Sequence, residues 1–137
     1  MSNLARLLLF VSAGWSCIAC GSESSEPEDL SRVKSESGAY FGRFTPEPNP
    51  PVTGDNALGV RIEDTKGVGV ENAVLGIEPF MLAHGHGVST LPVVSELGGG
   101  DYHAEKIHLM MPGTWQLRVN LDVAEIHDRI VVEYEVK

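Results

Sequence analysis

The chain has 137 residues, of which 10 are Lys or Arg and 19 are Asp or Glu, for a formal charge of −9. That acidic balance excludes the basic footprint by which proteins hold nucleic acid or anionic lipid. Both cysteines, Cys17 and Cys20, lie near the amino terminus, so a domain beyond them stands on its core alone, without thiolate metal sites or cysteine catalysis.

Residues 7–19, "LLLFVSAGWSCIA", are apolar or small throughout. The run is too short to span a bilayer comfortably and suits the core of a secretory signal, so residues 1–19 are expected to be removed. Ile18, Ala19 and Cys20 resemble a bacterial lipobox, whose Cys becomes the lipid-modified first residue of the mature chain. Cys17 stands where that pattern usually has Leu. The competing reading, a CxxC redox or zinc pair, has no folded context inside an apolar leader. Several acyl chains on Cys20 anchor a protein stably, since each buried methylene contributes roughly 0.8 kcal/mol. Removing residues 1–19 takes away Arg6 and no acid, which leaves −10. The expected location is the bacterial cell envelope, facing the periplasm. Gly21, in place of an Asp that marks inner-membrane retention, points to the outer membrane.

Residues 21–38 are Ser- and Glu-rich and too polar to bury a core, which reads as a tether. Residues 40–45, "YFGRFT", suit a first edge strand, and "PEPNPP" at 46–51 stiffens the chain toward polyproline II. The domain map is therefore a tether over residues 20–53 and a folded domain over 54–137, with Tyr40 as its earliest start.

Alternation then dominates. Leu58, Val60 and Ile62 share a face, as do Ala73, Leu75 and Ile77. Leu91 and Val93 make a short strand, and the glycines of "ELGGGD" at 96–101 shape a loop. Trp115, Leu117, Val119 and Leu121 form another inward set, and Ile130, Val132, Tyr134 and Val136 the last. No convincing amphipathic helix appears; residues 123–129 suit at most one turn between strands. Period-two alternation with frequent turns predicts an all-β, Ig-like antiparallel sandwich of about seven strands. Tyr102 and Ala104 differ in parity from Ile107 and Leu109, which predicts a β-bulge near Glu105 or Lys106. Without the bulge, Tyr102, Ala104, Lys106, His108 and Met110 share one face.

The stretch "FMLAHGHGVST" at 80–90 pairs two histidines with two glycines behind a methionine. Together with "DTKG", "ENAVLGIEPFM", Pro92, "DYHA" and "MPGTWQLRV", its order resembles the YtkA-like domain family of small bacterial envelope proteins, over roughly residues 57–136. The resemblance implies an Ig-like sandwich in an exported, often membrane-anchored protein, in a family of which some members are linked with copper handling or assembly of respiratory complexes. This chain departs in that related sequences often carry a methionine closer to the histidine.

Read from the residues, Met81, His84, His86 and Met111 offer the thioether and imidazole donors that copper(I) prefers, with Met110 or His108 as substitutes. Zinc is the rival and needs a carboxylate or third imidazole such as Glu78 or His108. The plain alternative keeps Met81 in the core, Met111 packed under Trp115, and the histidines shaping a turn. His103 and His127 read as surface residues. No catalytic residues are assigned and no enzyme is expected: the H-x-H pair lacks a cupin glutamate before Glu96 and lacks the ligand set of a copper–zinc dismutase. Ser89 and Ser95 stand in no nucleophile motif. The expected function is a lipid-anchored periplasmic accessory protein that binds or passes copper(I) to an envelope acceptor. The alternative is a metal-free Ig-like interaction module docking on an envelope complex.

Overall fold

The computed structural model describes residues 31–137; the expected signal sequence, the expected lipidation site at Cys20 and the first part of the expected tether lie outside the described residues. The described residues form nine strands: β1 (Val33–Lys34), β2 (Tyr40–Glu47), β3 (Gly54–Asp64), β4 (Val74–Met81), β5 (His86–Gly87), β6 (Val93–Gly98), β7 (Asp101–Leu109), β8 (Gly113–Val123) and β9 (Ile126–Val136). Two antiparallel sheets, ordered β1–β2–β3–β7–β6 and β5–β4–β8–β9, face each other. The all-β sandwich expected from the alternation is thus what the chain forms. Six of the seven longer strands are the expected ones; β6 is shifted into residues 96–98, expected as loop, and the two additions are the two-residue strands β1 and β5.

The core lies where the inward faces meet. Leu58, Val60 and Ile62 of β3 meet Ile77 of β4 and Trp115, Leu117, Val119 and Leu121 of β8, all buried. In β7 the parity change is real. Asn56 pairs Ile107 and Leu58 pairs Ala104, so Glu105 and Lys106 together oppose Ala57 alone. Lys106 takes the left-handed conformation, φ 61°, which lets Tyr102, Ala104, Ile107 and Leu109 all point inward. The single continuous face from Tyr102 to Met110 is therefore overturned.

Three other expectations change. First, β2 is not part of a tether, and its outer side is an edge except where the two-residue β1 borders Phe41 and Gly42. β2 pairs β3 at eight positions, from Tyr40↔Asp64 to Glu47↔Ala57, and "PEPNPP" ends that strand and begins the hairpin connection. The sandwich therefore starts at Val33, not at residue 54. Pro46 fits within β2 because β1 flanks only Phe41 and Gly42, which leaves the outer side at Pro46 free of any ladder. Second, Leu91 precedes β6 and Val93 starts it, and both side chains are exposed; Val94, opposite buried Ala104, faces the core instead. Third, residues 123–129 hold a two-residue β-turn, in which Val123 pairs Ile126 and Ala124 has φ 54°.

Candidate metal site at the histidine turn

β4 runs out of the core into a tight turn over residues 82–85 and returns as β5, with Phe80 opposite Gly87 and Met81 opposite His86. The N–H groups of His84 and Gly85 both donate to the Met81 carbonyl, at 3.3 and 3.0 Å. Gly85 has φ 67°, a conformation that only glycine takes without strain. The histidine stretch therefore does turn the chain. It also presents both imidazoles to solvent, their ring centroids 5.8 Å apart and their planes 40° apart.

Directly opposed residues of an antiparallel ladder share a face. Met81 opposes His86 on one side and Trp115 on the other, so His86, Met81 and Trp115 stand in one row across the second sheet. Met81 is buried at 3% exposure, while His86 ends the row in solvent. The Met81 methyl fills the space over Gly113, where a Cβ would come within 2.7 Å of it. Met111, half-buried against the core, accepts a hydrogen bond from Trp115 Nε1–H at 2.9 Å through its carbonyl. The structure thus places Met81, His84 and His86 on one hairpin and sets Met111 on the adjacent β7–β8 connection.

The spacing of the two histidine rings is one that imidazoles sharing a single ion can have. Two imidazoles on one ion, with metal–nitrogen bonds of about 2.0–2.1 Å, hold their centroids at most about 6.4 Å apart. The observed 5.8 Å lies inside that limit. His86 Nδ1 sits 3.1 Å from the Gly87 carbonyl, so with the proton on Nδ1 the Nε2 lone pair is left for a ligand. The zinc alternative is not assembled: among the described residues no three His, Cys, Asp or Glu side chains surround a common centre. His108 and Met110, expected as substitutes, line a separate cleft, where His108 is held by Asp55. His103 lies between Glu47 and Glu105 at 3.8 and 3.9 Å, and His127 contacts Asp122 on the surface.

Sequence reasoning missed the Asp55–His108 pair and the arginines around Glu63. Both pairings cross strands, and no local pattern signals them until the β2–β3–β7 register is fixed.

The described residues thus form one small all-β sandwich with a histidine turn between β4 and β5. The family model described as YtkA-like matches residues 34–120, and the chain belongs to that family. No curated protein and no solved structure matches the chain significantly.

Proposed function

We propose that the chain is a lipid-anchored, periplasm-facing accessory protein that takes up Cu(I) through Met81, His84, His86 and Met111 and releases it to an envelope acceptor. The observation that carries this reading is the row that sets buried Met81 opposite exposed His86, with the His84 ring 5.8 Å away. Thioether donors select a soft cation, and imidazoles at the rim are accessible to it first. A site with its thioether inside and its imidazoles in solvent releases cargo by ligand exchange: an acceptor displaces the histidines before the ion leaves Met81. Uptake weakens in acid, because the imidazole nitrogens bind metal only when free of protons. Acylation of Cys20 holds the domain at the membrane, the outer one by the Gly21 argument. No catalytic step is assigned.

The test is an anaerobic Cu(I) titration of the full chain against a chromophoric Cu(I) chelator, beside the His84→Ala/His86→Ala and Met81→Leu variants. The wild type is expected to take up one equivalent more than the histidine variant, with Met81→Leu weakening that equivalent. Equal uptake by wild type and histidine variant overturns the reading. It would favour a metal-free interaction module, for which the exposed Leu82 on the same turn supplies an apolar contact.

A further inference from the structure

The bulge in β7 does more than restore the core. Beyond Lys106 it sends Ile107 and Leu109 inward and therefore turns His108 and Met110 outward together. Bulges commonly re-aim side chains in this way. β6 pairs β7 only as far as Glu105, so the end of β7 has no strand along its outer flank. A cleft of about 370 Å³ opens there. Asp55, Lys106, His108 and Met110 line one side of it, and residues 88–90 form the other.

Within the cleft, His108 lies opposite Asp55 in the β3–β7 register, with Nδ1 2.6 Å from Asp55 Oδ1. A carboxylate at Nδ1 keeps the proton there and orients the ring, the arrangement by which metal-ligating imidazoles are held. Nε2 then carries the free lone pair. Met110 is 48% exposed and stands outside the buried core cluster. Its thioether and the His108 imidazole reach the same space. One thioether and one imidazole make a soft donor pair: too few oxygens for calcium or magnesium, and short of the four ligands zinc usually takes. The Lys106 ammonium opposes a cation here, and the Asp55 carboxylate offsets it.

We propose that His108 and Met110 form a second site for a soft monovalent cation, Cu(I) by chemistry, with Asp55 as its positioning residue. The site has its own donors and does not require that the histidine turn bind anything. The wall formed by residues 88–90 begins one residue past Gly87, so one loop borders both sites.

Silver(I), a redox-inert soft cation, is the probe. The full chain is labelled with ¹³C at its methionine methyls and ¹⁵N at histidine and titrated with Ag(I), with Met110→Leu assigning the Met110 signal. The Met110 methyl and the His108 Nε2 resonance are expected to move together, in the wild type and equally in His84→Ala/His86→Ala. Met81 and Met111 methyls report the histidine turn separately, so failure of either site is visible without the other. His108→Asn is expected to abolish the Met110 shift. Asp55→Asn is expected to weaken Ag(I) binding about 10- to 100-fold and to lose the Nδ1–H preference of His108 in the metal-free protein. A Met110 methyl that stays unmoved, or that moves as strongly in His108→Asn, overturns the proposal.

Discussion

The Tyr102 hydroxyl reaches from the core to the β3–β4 connection, donating to the Val70 carbonyl at 2.7 Å and accepting from the Ala73 N–H at 3.1 Å. Tyr102 is 2% exposed, so water is a poor substitute for either bond. Tyr102→Phe keeps the ring packing and leaves one backbone donor and one acceptor unmet. The expected loss is about 1–3 kcal/mol, read as a lower urea midpoint at unchanged m; a shift near zero would mean that both groups find other partners. Ala124 presents the opposite case. Its φ of 54° costs an L-residue roughly 1–2 kcal/mol, against about 0.4–1 kcal/mol for the extra freedom glycine has in the unfolded chain. Ala124→Gly is therefore expected to raise the urea midpoint, by about 0.5–1 kcal/mol in stability; a lower midpoint would show that the Ala124 methyl contributes packing worth more than the strain. Neither feature was legible beforehand. The turn lacks the Asn-Gly signature of a tight hairpin, and a tyrosine in an alternating strand looks the same whether or not its hydroxyl finds a partner.

Between elements, Glu63 is the main polar joint of the first sheet. Its carboxylate meets Arg43 Nη1 of β2 at 2.6 Å, Arg61 Nε of β3 at 2.9 Å, and Nε of Arg32, just before β1, at 3.3 Å. Arg61 continues to Asp101 at the start of β7 at 3.0 Å. Burial alone would push the Glu63 carboxyl upward, but the hydrogen bonds from Arg61 and Arg43 and the surrounding positive charge outweigh it and hold it below the ordinary carboxylate range. A depressed folded-state pKa contributes stability that is complete above the unfolded value, about 4.3, and lost as pH falls through the folded one. Glu63→Gln is expected to cost about 2 kcal/mol at neutral pH, less than the loss of a fully buried ion because the guanidiniums are partly exposed. Its stability should also fall less steeply below about pH 4.3, where the wild type loses this contribution; parallel pH profiles would assign the acid sensitivity to Asp64 and Asp128, whose carboxyls backbone and side-chain donors also hold low. At this scale the sequence was a good guide wherever burial is one-sided. It located six of the seven longer strands, and it located the bulge at Glu105–Lys106 because no single phase of a two-residue period hides Tyr102, Ala104, Ile107 and Leu109 together. It misplaced β6, since the valines at 93 and 94 let "LPVVSEL" alternate in either phase and an edge strand buries too little to choose. The histidine turn was readable from its glycines, whereas the row joining Met81 to His86 depends on a turn length that no periodicity encodes.

For the molecule as a whole, the consequential error of composition is the boundary at residue 54. Prolines and serines around β2 suggest a spacer, yet Tyr40 and Phe44 pack on the core and Glu47 still pairs with Ala57. A chain beginning at Gly54 would bare the outer edge of β3 over the eight positions that β2 covers, Ala57 to Asp64, and would remove Arg32 and Arg43 from Glu63. Such an edge invites pairing with another chain, and a domain of this size has little stability to spare. Residues 31–137 are therefore expected to fold cooperatively, and residues 54–137 to aggregate or unfold. Trp115 reports the difference directly: it is the sole tryptophan of either fragment and is fully buried. Blue-shifted emission and a sigmoidal melt are expected from the longer fragment, and red-shifted emission without a transition from the shorter. A cooperative melt with buried Trp115 in the shorter fragment would make β1 and β2 accessory. The outcome bears on how the domain works at a membrane. With Cys20 acylated as proposed, a sandwich that starts at Val33 stands at most about 45 Å from its anchor, whereas one that starts at Gly54 would reach more than twice as far.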